Sequence, residues 1–285
     1  MRISVFPDVP YENPIVIAGD IIKELENLGV EVILKSEDKR FFEKFDKVTF
    51  LPYETAVENS DVVIAVGGDG TVIRHSALAA IKGKPILGIN AGRLGFLSGL
   101  EKGEKKLLKE LVQGKYTCES RMLLRAQIIN CGKVIYDNYC LNDVVVRSAG
   151  TRMVDMQVLS GEKKIGVYRG DGIIFATPTG STAYSLSAGG PVVDPGLECM
   201  IMTPVCAHSL SVRSIIFGSD KELQVYCGDR EKDDLVITLD GNSPVTADEN
   251  SFINIKKADI SVDFITLKRE NFYEVLNQKM IERNF

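Results

Sequence analysis

The sequence predicts a layered α/β domain followed by a β-rich domain, and three observations carry that reading. Strand and helix patterns alternate through the first hundred residues, as in a layered unit with a mainly parallel sheet. From about Glu101 the texture changes to short β-branched runs separated by Gly, Asn and Asp turns, an all-β signal. Within the first part, the apolar run Asp61-Val62-Val63-Ile64-Ala65-Val66 ends in Gly67-Gly68-Asp69-Gly70-Thr71 and opens a helix-like stretch to Ile81.

Taken in order, Ile3 to Phe6 reads as the first strand. Ile21, Ile22, Leu25 and Leu28 then recur at helical spacing, Gly29 supplies the stop, and Val30 to Leu34 resumes as strand. The run Val62 to Val66 is β-branched but for Ala65, the composition of a strand buried on both faces, and Lys84 to Asn90 supplies another. A lysine-rich helix is expected over Glu104 to Gln113. Strands are expected at Leu123 to Ile129, Val134 to Tyr139, Val144 to Arg147, Met153 to Leu159, Lys164 to Tyr168 and Gly172 to Thr177, with several more between Ile201 and Phe264. Thr182 to Ala188 interrupts them with helix character. No repeat or low-complexity linker is visible, so the boundary at residue 100 rests on the change of period.

Composition narrows the function. The chain has 285 residues, 45% of them hydrophobic, enough for two cores. Its 34 basic and 39 acidic residues give a net charge of −5, so no broad basic surface for nucleic acid is expected. No segment reaches the roughly 20 apolar residues of a membrane-spanning helix, and the N-terminal run lacks the apolar stretch expected of a signal peptide. A cytoplasmic protein with no membrane partner is the expectation. Six cysteines without a CxxC pair read as free, buried thiols, and His75 and His208 alone make a histidine metal centre improbable.

The glycine turn is a natural phosphate cradle. Glycine has no Cβ to keep backbone N–H groups from an anion, and the positive end of a helix macrodipole faces the same point. A carboxylate in the middle of it, Asp69, repels a bare phosphate. The conflict disappears if Asp69 holds a divalent cation or takes a proton from an attacking hydroxyl. The turn lacks the Lys-Ser/Thr of a Walker A loop and the spacing of a dinucleotide fingerprint. A plain tight turn is the competing reading.

A second segment, Gly170-Asp171-Gly172 through Thr177-Pro178-Thr179-Gly180-Ser181-Thr182-Ala183-Tyr184, repeats the grammar of apolar strand, hydroxyl-rich turn and helix. Ser181 or Thr182 can serve as an N-cap, but five hydroxyl residues in eight positions exceed what one cap requires, so the loop reads as lining a nucleotide, with Tyr184 stacking on a base. Upstream, Asn142-Asp143 opens a strand with an amide and a carboxylate able to grip ribose hydroxyls, although Asn-Asp is also common turn chemistry.

Together these motifs resemble the NAD kinase family along nearly the whole chain. Gly67 to Thr71 looks like its GGDGT motif, and Gly88-Ile89-Asn90-Ala91-Gly92-Arg93-Leu94-Gly95-Phe96-Leu97 like its next loop. Asn142-Asp143 falls where the family usually shows Asn-Glu, and Thr177 to Tyr184 matches its second glycine-rich motif. Pro204 to Ser211, with His208, and Asp240-Gly241 agree with later blocks.

The resemblance implies phosphoryl transfer from ATP or polyphosphate, with a divalent metal such as magnesium, to the 2′-hydroxyl of the adenosine ribose of NAD. It implies a Rossmann-like α/β domain over 1–100, a β-sandwich-like domain over 101–264 with the active site between them, and a segment 265–285 returning to the first domain, with a closing helix at Phe272 to Ile281. Asp69 would activate the hydroxyl or organise metal and phosphates, with Gly67, Gly68, Gly70 and Thr71 shaping the cradle. Asn142 and Asp143 would hold NAD's ribose and adenine side, although Asp143 is a methylene shorter than the usual glutamate. Thr182, Ala183, Tyr184 and Ser187 would line the adenine pocket, and Phe96 would border the site. Asp171 would reach substrate from a neighbouring subunit of a homodimer or homotetramer, and Asp240 would lie near the reacting phosphates. His208 is either a site residue or a packed-turn hydrogen bond, and Arg93 either a phosphate contact or a surface ion pair. Two rivals share the glycine turn: a lipid or sphingoid-base kinase, whose acceptor needs an apolar groove, and a noncatalytic NAD-binding sensor, against which the intact Asp69 speaks.

Overall fold

The computed structural model describes residues 1–92, 95–150, 152–209, 211–227, 234–248, 250–268 and 272–282. By contacts the chain forms two compact units, Met1–Ser120 with Val262–Phe285, and Arg121–Ser261.

The first unit runs β1 (Arg2–Pro7), α1 (Glu12–Asn27), β2 (Glu31–Lys35), α2 (Lys39–Phe42), β3 (Thr49–Leu51), α3 (Tyr53–Glu58), β4 (Val62–Gly67), α4 (Asp69–Ile81), β5 (Ile86–Asn90), β6 (Leu100–Glu101) and α5 (Leu108–Val112). Its strands lie parallel in the order β5-β4-β1-β2-β3. Helix α1 starts earlier than the Ile21 periodicity suggests, because Pro14 sits in its first turn, where proline is tolerated. It ends at Gly29, whose φ of 76° no β-branched residue adopts readily. Ile3, Val5, Ile64 and Val66 pack with Ile17, Ile21, Ile22 and Leu25 of α1 in one core. Leu108 and Leu111 of α5 belong to this same core, so the lysine-rich segment after residue 101 packs with the first unit and not with the β-rich one. It is also shorter than the expected helix, a single 3₁₀ turn followed by α5. On the other face of β1, Phe6 stacks on His75 of α4, with ring centroids 4.8 Å apart.

This order reverses direction at β1 and β4: the chain leaves β1 towards β2 and β3, then crosses to β4 and β5. Open parallel sheets bind ligands beyond the carboxyl ends of the strands at such a switch point. Pro7 and Val66 pair there, and the Asp8 N–H donates to Val66 O at 3.0 Å. The glycine turn is the next segment of chain.

The second unit contains β7 (Thr117–Asn130, entered from the first unit), β8 (Lys133–Cys140), β9 (Asp143–Ser148), β10 (Val154–Ser160), β11 (Lys163–Gly170), β12 (Gly172–Ala176), α6 (Tyr184–Ser187), β13 (Cys199–Val205), β14 (Ile215–Gly218), β15 (Glu222–Cys227), β16 (Leu235–Leu239), β17 (Val245–Ala247) and most of β18 (Ser251–Thr266). One sheet has the antiparallel order β14-β13-β12-β9-β16-β17; β11-β10-β15-β18 with β7 and β8 forms the other. Val144, Val146, Ile173, Phe175 and Ile237 of the former share a core with Met156, Val158, Val225, Ile253 and Ile255 of the latter, giving a two-sheet sandwich. Residue alternation turns Val145, Ile174 and Ala176 to the opposite face, where Val193 covers them. The end of β18 re-enters the first unit, pairs with β5 at Phe264 and Ile86, and leads to α7 (Phe272–Glu282).

All six cysteines are free, but the expectation that they are buried holds only for Cys140 and Cys199; Cys118, Cys131 and Cys206 are exposed. No described helix is long and apolar enough to cross a membrane.

Candidate active site

In the first unit, Gly67 closes β4, Gly68 precedes the helix and Asp69 is the first residue of α4. The N–H groups of Thr71 and Val72 donate to Gly68 O at 3.0 and 3.3 Å, closing the first turn, and the N–H groups ahead of it have no intrahelical partner. Each glycine has its own reason. A Cβ on Gly67 would strike the Thr71 hydroxyl, which itself donates to Asp8 Oδ2 at 3.2 Å. At Gly68 and Gly70 a Cβ would meet nothing among the described residues, so these two leave open space over the helix N-terminus.

The Asp69 carboxylate is held by backbone. Phe96 N–H donates to Oδ2 at 2.9 Å, Leu97 N–H donates to Oδ1 at 3.1 Å, and Lys279 Nζ from α7 lies 3.3 Å from Oδ2. The loop can come this close because residue 95 is glycine: a Cβ there would overlap the Asp69 carboxylate and press on Ser98 Oγ. Asn90 shapes the same loop, accepting from the Gly92 N–H at 2.9 Å and donating to Glu101. Arg93 lies outside the described residues. Phe96 is half-buried, with the Lys279 ammonium 4.0 Å from its ring centre and Phe272 at 6.2 Å. Gly95 and Lys279 were not singled out from sequence. Gly95 was legible as part of a glycine-rich loop; Lys279 carried no motif.

In the second unit the acids gather at the start of β9. Asp240 follows β16, at a left-handed φ of 50°. Its carboxylate accepts from the N–H groups of Leu141, Asn142 and Asp143 at 2.8, 2.7 and 3.1 Å, and its own N–H donates to Asp143 O at 3.0 Å. Burial raises the Asp240 pKa, and the three N–H donors oppose that. Asp143 is 5% exposed, and its carboxylate has no hydrogen bond among the described residues. Burial first and the Asp240 charge second push its pKa to about 7. The Asn142 side chain is equally without a hydrogen bond among the described residues, while its carbonyl accepts from Thr177 N–H at 2.9 Å. Gly180 abuts that carbonyl so closely that any Cβ would overlap it. The two motifs, far apart in sequence, thus lock together.

The hydroxyl-rich loop differs from its expected use. Thr177 donates to Leu141 O at 2.6 Å, and Thr182 to Thr179 O at 3.3 Å. Ser181 bonds both Val193 O and Val193 N–H, and Ser185 meets Thr203 at 3.0 Å. These hydroxyls hold the loop itself, because its backbone leaves the sheet and needs partners. None caps α6. The helix expected over Thr182 to Ala188 is a 3₁₀ turn, Thr179–Thr182, and then α6. Ala183 is partly buried; Tyr184, 47% exposed, and Ser187 face outward.

Asp171 is exposed at the start of β12 and its N–H donates to Val205 O at 3.1 Å; its carboxylate bonds the Cys206 thiol and raises that thiol's pKa. His208 is exposed. Its N–H donates to Arg169 O at 2.8 Å, and no hydrogen bond to its ring is formed among the described residues. No group of three His, Cys, Asp or Glu able to hold a metal occurs among the described residues.

Comparison with known proteins bears on both units. Residues 22–116 match the model of the ATP-NAD kinase N-terminal domain and residues 141–267 that of the ATP-NAD kinase C-terminal domain. An NAD kinase of Acetivibrio thermocellus is 38% identical over 84% of this chain and 83% of its own. One of Thermoanaerobacter sp. strain X514 is 36% identical over 99% of each. Among solved structures, an NAD kinase from Archaeoglobus fulgidus in complex with ATP superposes with a TM-score of 0.76 at 28% identity, over 98% of both chains. Yeast NADH kinase complexed with NADH gives 0.88 at 23% identity, over 97% of this chain and 86% of the other, a likeness of fold. With both domain models matched in order and relatives above 30% identity spanning nearly the full length, the chain belongs to the NAD kinase family.

Proposed function

We propose that this chain transfers the terminal phosphoryl group of ATP to the 2′-hydroxyl of the adenosine ribose of NAD, making NADP and ADP. The observation that carries the reading is Asp69: a carboxylate at the first turn of α4, fixed by the Phe96 and Leu97 N–H groups beside open backbone at Gly68 and Gly70. A fixed carboxylate next to a phosphate cradle suits a reaction in which a hydroxyl loses its proton as its oxygen bonds phosphorus.

The roles follow from these environments. Gly68 and Gly70 admit phosphate oxygens to the helix N-terminus, Gly67 and Thr71 set the turn, Phe96 borders it, and Asp69 orients and deprotonates the hydroxyl. The ribose hydroxyls donate to the Asp143 carboxylate and meet the Asn142 amide, neither of which has a hydrogen-bond partner among the described residues. Asp240 acts through them, since its carboxylate is spent on their backbone. Tyr184 stacks on adenine, with Thr182, Ala183 and Ser187 around it and His208 nearby in function. Asp171, exposed, reaches substrate in a neighbouring subunit of a homo-oligomer. Val134 and Ile135, both more than half exposed on β8, give such an assembly an apolar edge. The cytoplasm is where both substrates would be met.

For a divalent ion, the residues fit one brought in on ATP and not a protein cage. No three-residue cluster exists among the described residues, and Asp69 has a single lone-pair position left after its three donors. When bound, the ion would neutralise charge on the transferred group.

The test is incubation of purified protein with NAD, ATP and magnesium, followed by assay for NADP. Asp69→Asn is expected to lower turnover by roughly 10² to 10⁴ with NAD binding retained. Near-normal turnover in that variant would remove Asp69 from the chemistry; no NADP with tight NAD binding would make the chain a sensor.

A further inference from the structure

Helix α7 has an amphipathic face with one member out of place. Phe272, Val275, Leu276 and Lys279 are its half-buried positions, spaced i, i+3, i+4, i+7, while Tyr273, Glu274, Asn277 and Gln278 are exposed. Three of the four inward positions are apolar, as a docking helix requires. The fourth is a lysine, and its side chain is only 17% exposed. A cation held on the docking face of a helix needs an aimed partner.

Its partner is the reacting carboxylate. Lys279 Nζ lies 3.3 Å from Asp69 Oδ2 and 4.0 Å from the centre of the Phe96 ring, and Phe272, two turns earlier on the same face, packs against that ring as well. The ammonium is therefore fixed from two sides, against the carboxylate of Asp69, the residue between Gly68 and Gly70, and over the Phe96 ring.

We propose that Lys279 is a further catalytic residue, the cation that meets the phosphoryl oxygens of the donor at this turn. It rests on the kinase reading above. The ammonium is paired to Asp69. A triphosphate on the N-terminus of α4 brings several negative oxygens to the same spot, and the lysine, with three donors on a flexible stem, bridges them to Asp69. This resolves the conflict of a carboxylate inside a phosphate cradle: the repulsion between Asp69 and phosphate is offset by a charge that arrives from the other end of the chain. Asp69 is then free of its like-charge penalty and stays aligned for the hydroxyl.

The experiment measures ATP binding directly, by calorimetry on the full chain, together with steady-state kinetics. Lys279→Met should weaken ATP binding by about tenfold or more and raise the KM for ATP, with NAD affinity unchanged. Lys279→Arg should recover most of the loss, and the weakening of ATP binding by added salt should be shallower in Lys279→Met. Gln278→Ala, on the exposed face, should behave as wild type. Should Lys279→Met fail to fold, Lys279→Gln, which still donates a hydrogen bond but carries no charge, makes the same comparison. ATP binding and KM at wild-type values in the uncharged variant would overturn the inference, and so would tighter ATP binding, which would make the lysine a cap that ATP must displace. A wild-type chain that makes no NADP defeats the kinase reading instead, so the two failures are separable.

Discussion

The Asp240 carboxylate lies 2.7 Å from the Asn142 backbone nitrogen and, from a left-handed backbone position at φ 50°, also accepts from the N–H groups of Leu141 and Asp143. One buried side chain thus closes three backbone donors at the mouth of β9, where the sheet ladder has not yet begun to satisfy them. Asp240→Ala removes all three acceptor contacts and leaves a Cβ residue in the left-handed region without a polar side chain. It should destabilise the second unit by about 3 kcal/mol or more. Asp240→Asn keeps an acceptor oxygen and tolerates the same φ, so its cost should be about 1 kcal/mol. Urea unfolding of the two variants checks the order.

Asp143 is the opposite case, a buried carboxylate with no donor among the described residues. Its pKa rises from 3.8 to about 7, so the folded chain holds that proton more tightly than the unfolded chain does. Stability tied to the group is therefore full below about pH 4 and declines as pH rises to 7. Asp143→Asn removes the decline. The variant should be more stable than wild type by a few kcal/mol at pH 8, with the gap closing by pH 4, while NAD affinity falls. Urea midpoints at the two pH values and NAD titrations give the measurement; a gap independent of pH would contradict the assignment. Asp240→Asn should lower the Asp143 pKa, because the Asp240 charge is the second cause of its rise.

His75 shows the reverse sign for a base. Its ring is 4% exposed, stacks on Phe6 and meets Tyr53 OH at 2.7 Å, and burial lowers its pKa to about 3. The unfolded chain takes up a proton near pH 6.5 and the folded chain does not, so stability falls as pH drops from 6.5 towards 3. His75→Gln should cost stability at neutral pH by losing the stacked ring, yet show a shallower loss on acidification. Urea midpoints from pH 7 to pH 4 distinguish the two slopes.

How far the sequence could be read depends on whether an interaction is local. The run from Val62 to Val66 and the helix after Gly70 were legible because burial on both faces leaves a continuous apolar signature and glycine marks the turn. The sandwich strands were legible from their period. What could not be read is who holds whom. Asp69 looked exposed to phosphate, and its partners are backbone N–H groups 27 and 28 positions away and a lysine 210 positions away, none of which has a side-chain pattern to announce it. The hydroxyls of Thr177, Ser181, Thr182 and Ser185 looked available for a nucleotide because composition cannot show that the loop's own carbonyls and neighbours use them. Residues 36–60 have no clear period and fold into short elements whose order comes from packing on β2 and α4.

Gly95 is where a single methyl group should separate fold from function. The Cα hydrogen that a side chain would replace points at the Asp69 carboxylate, and a methyl there would overlap Oδ1 and crowd Ser98 Oγ. The overlap can be relieved only by moving the loop or turning Asp69, and either movement breaks the hydrogen bonds from Phe96 and Leu97 that fix the carboxylate. The loop is half-buried and outside the main core, so Gly95→Ala should unfold no element and should lower kcat by about 100-fold, the scale of a misplacement near 1 Å. Gly92→Ala, three residues earlier, supplies the control: a Cβ there meets nothing among the described residues, so kcat should be unchanged. Equal kcat values for the two variants would mean that the loop yields freely, and that Asp69 does not depend on its backbone for alignment.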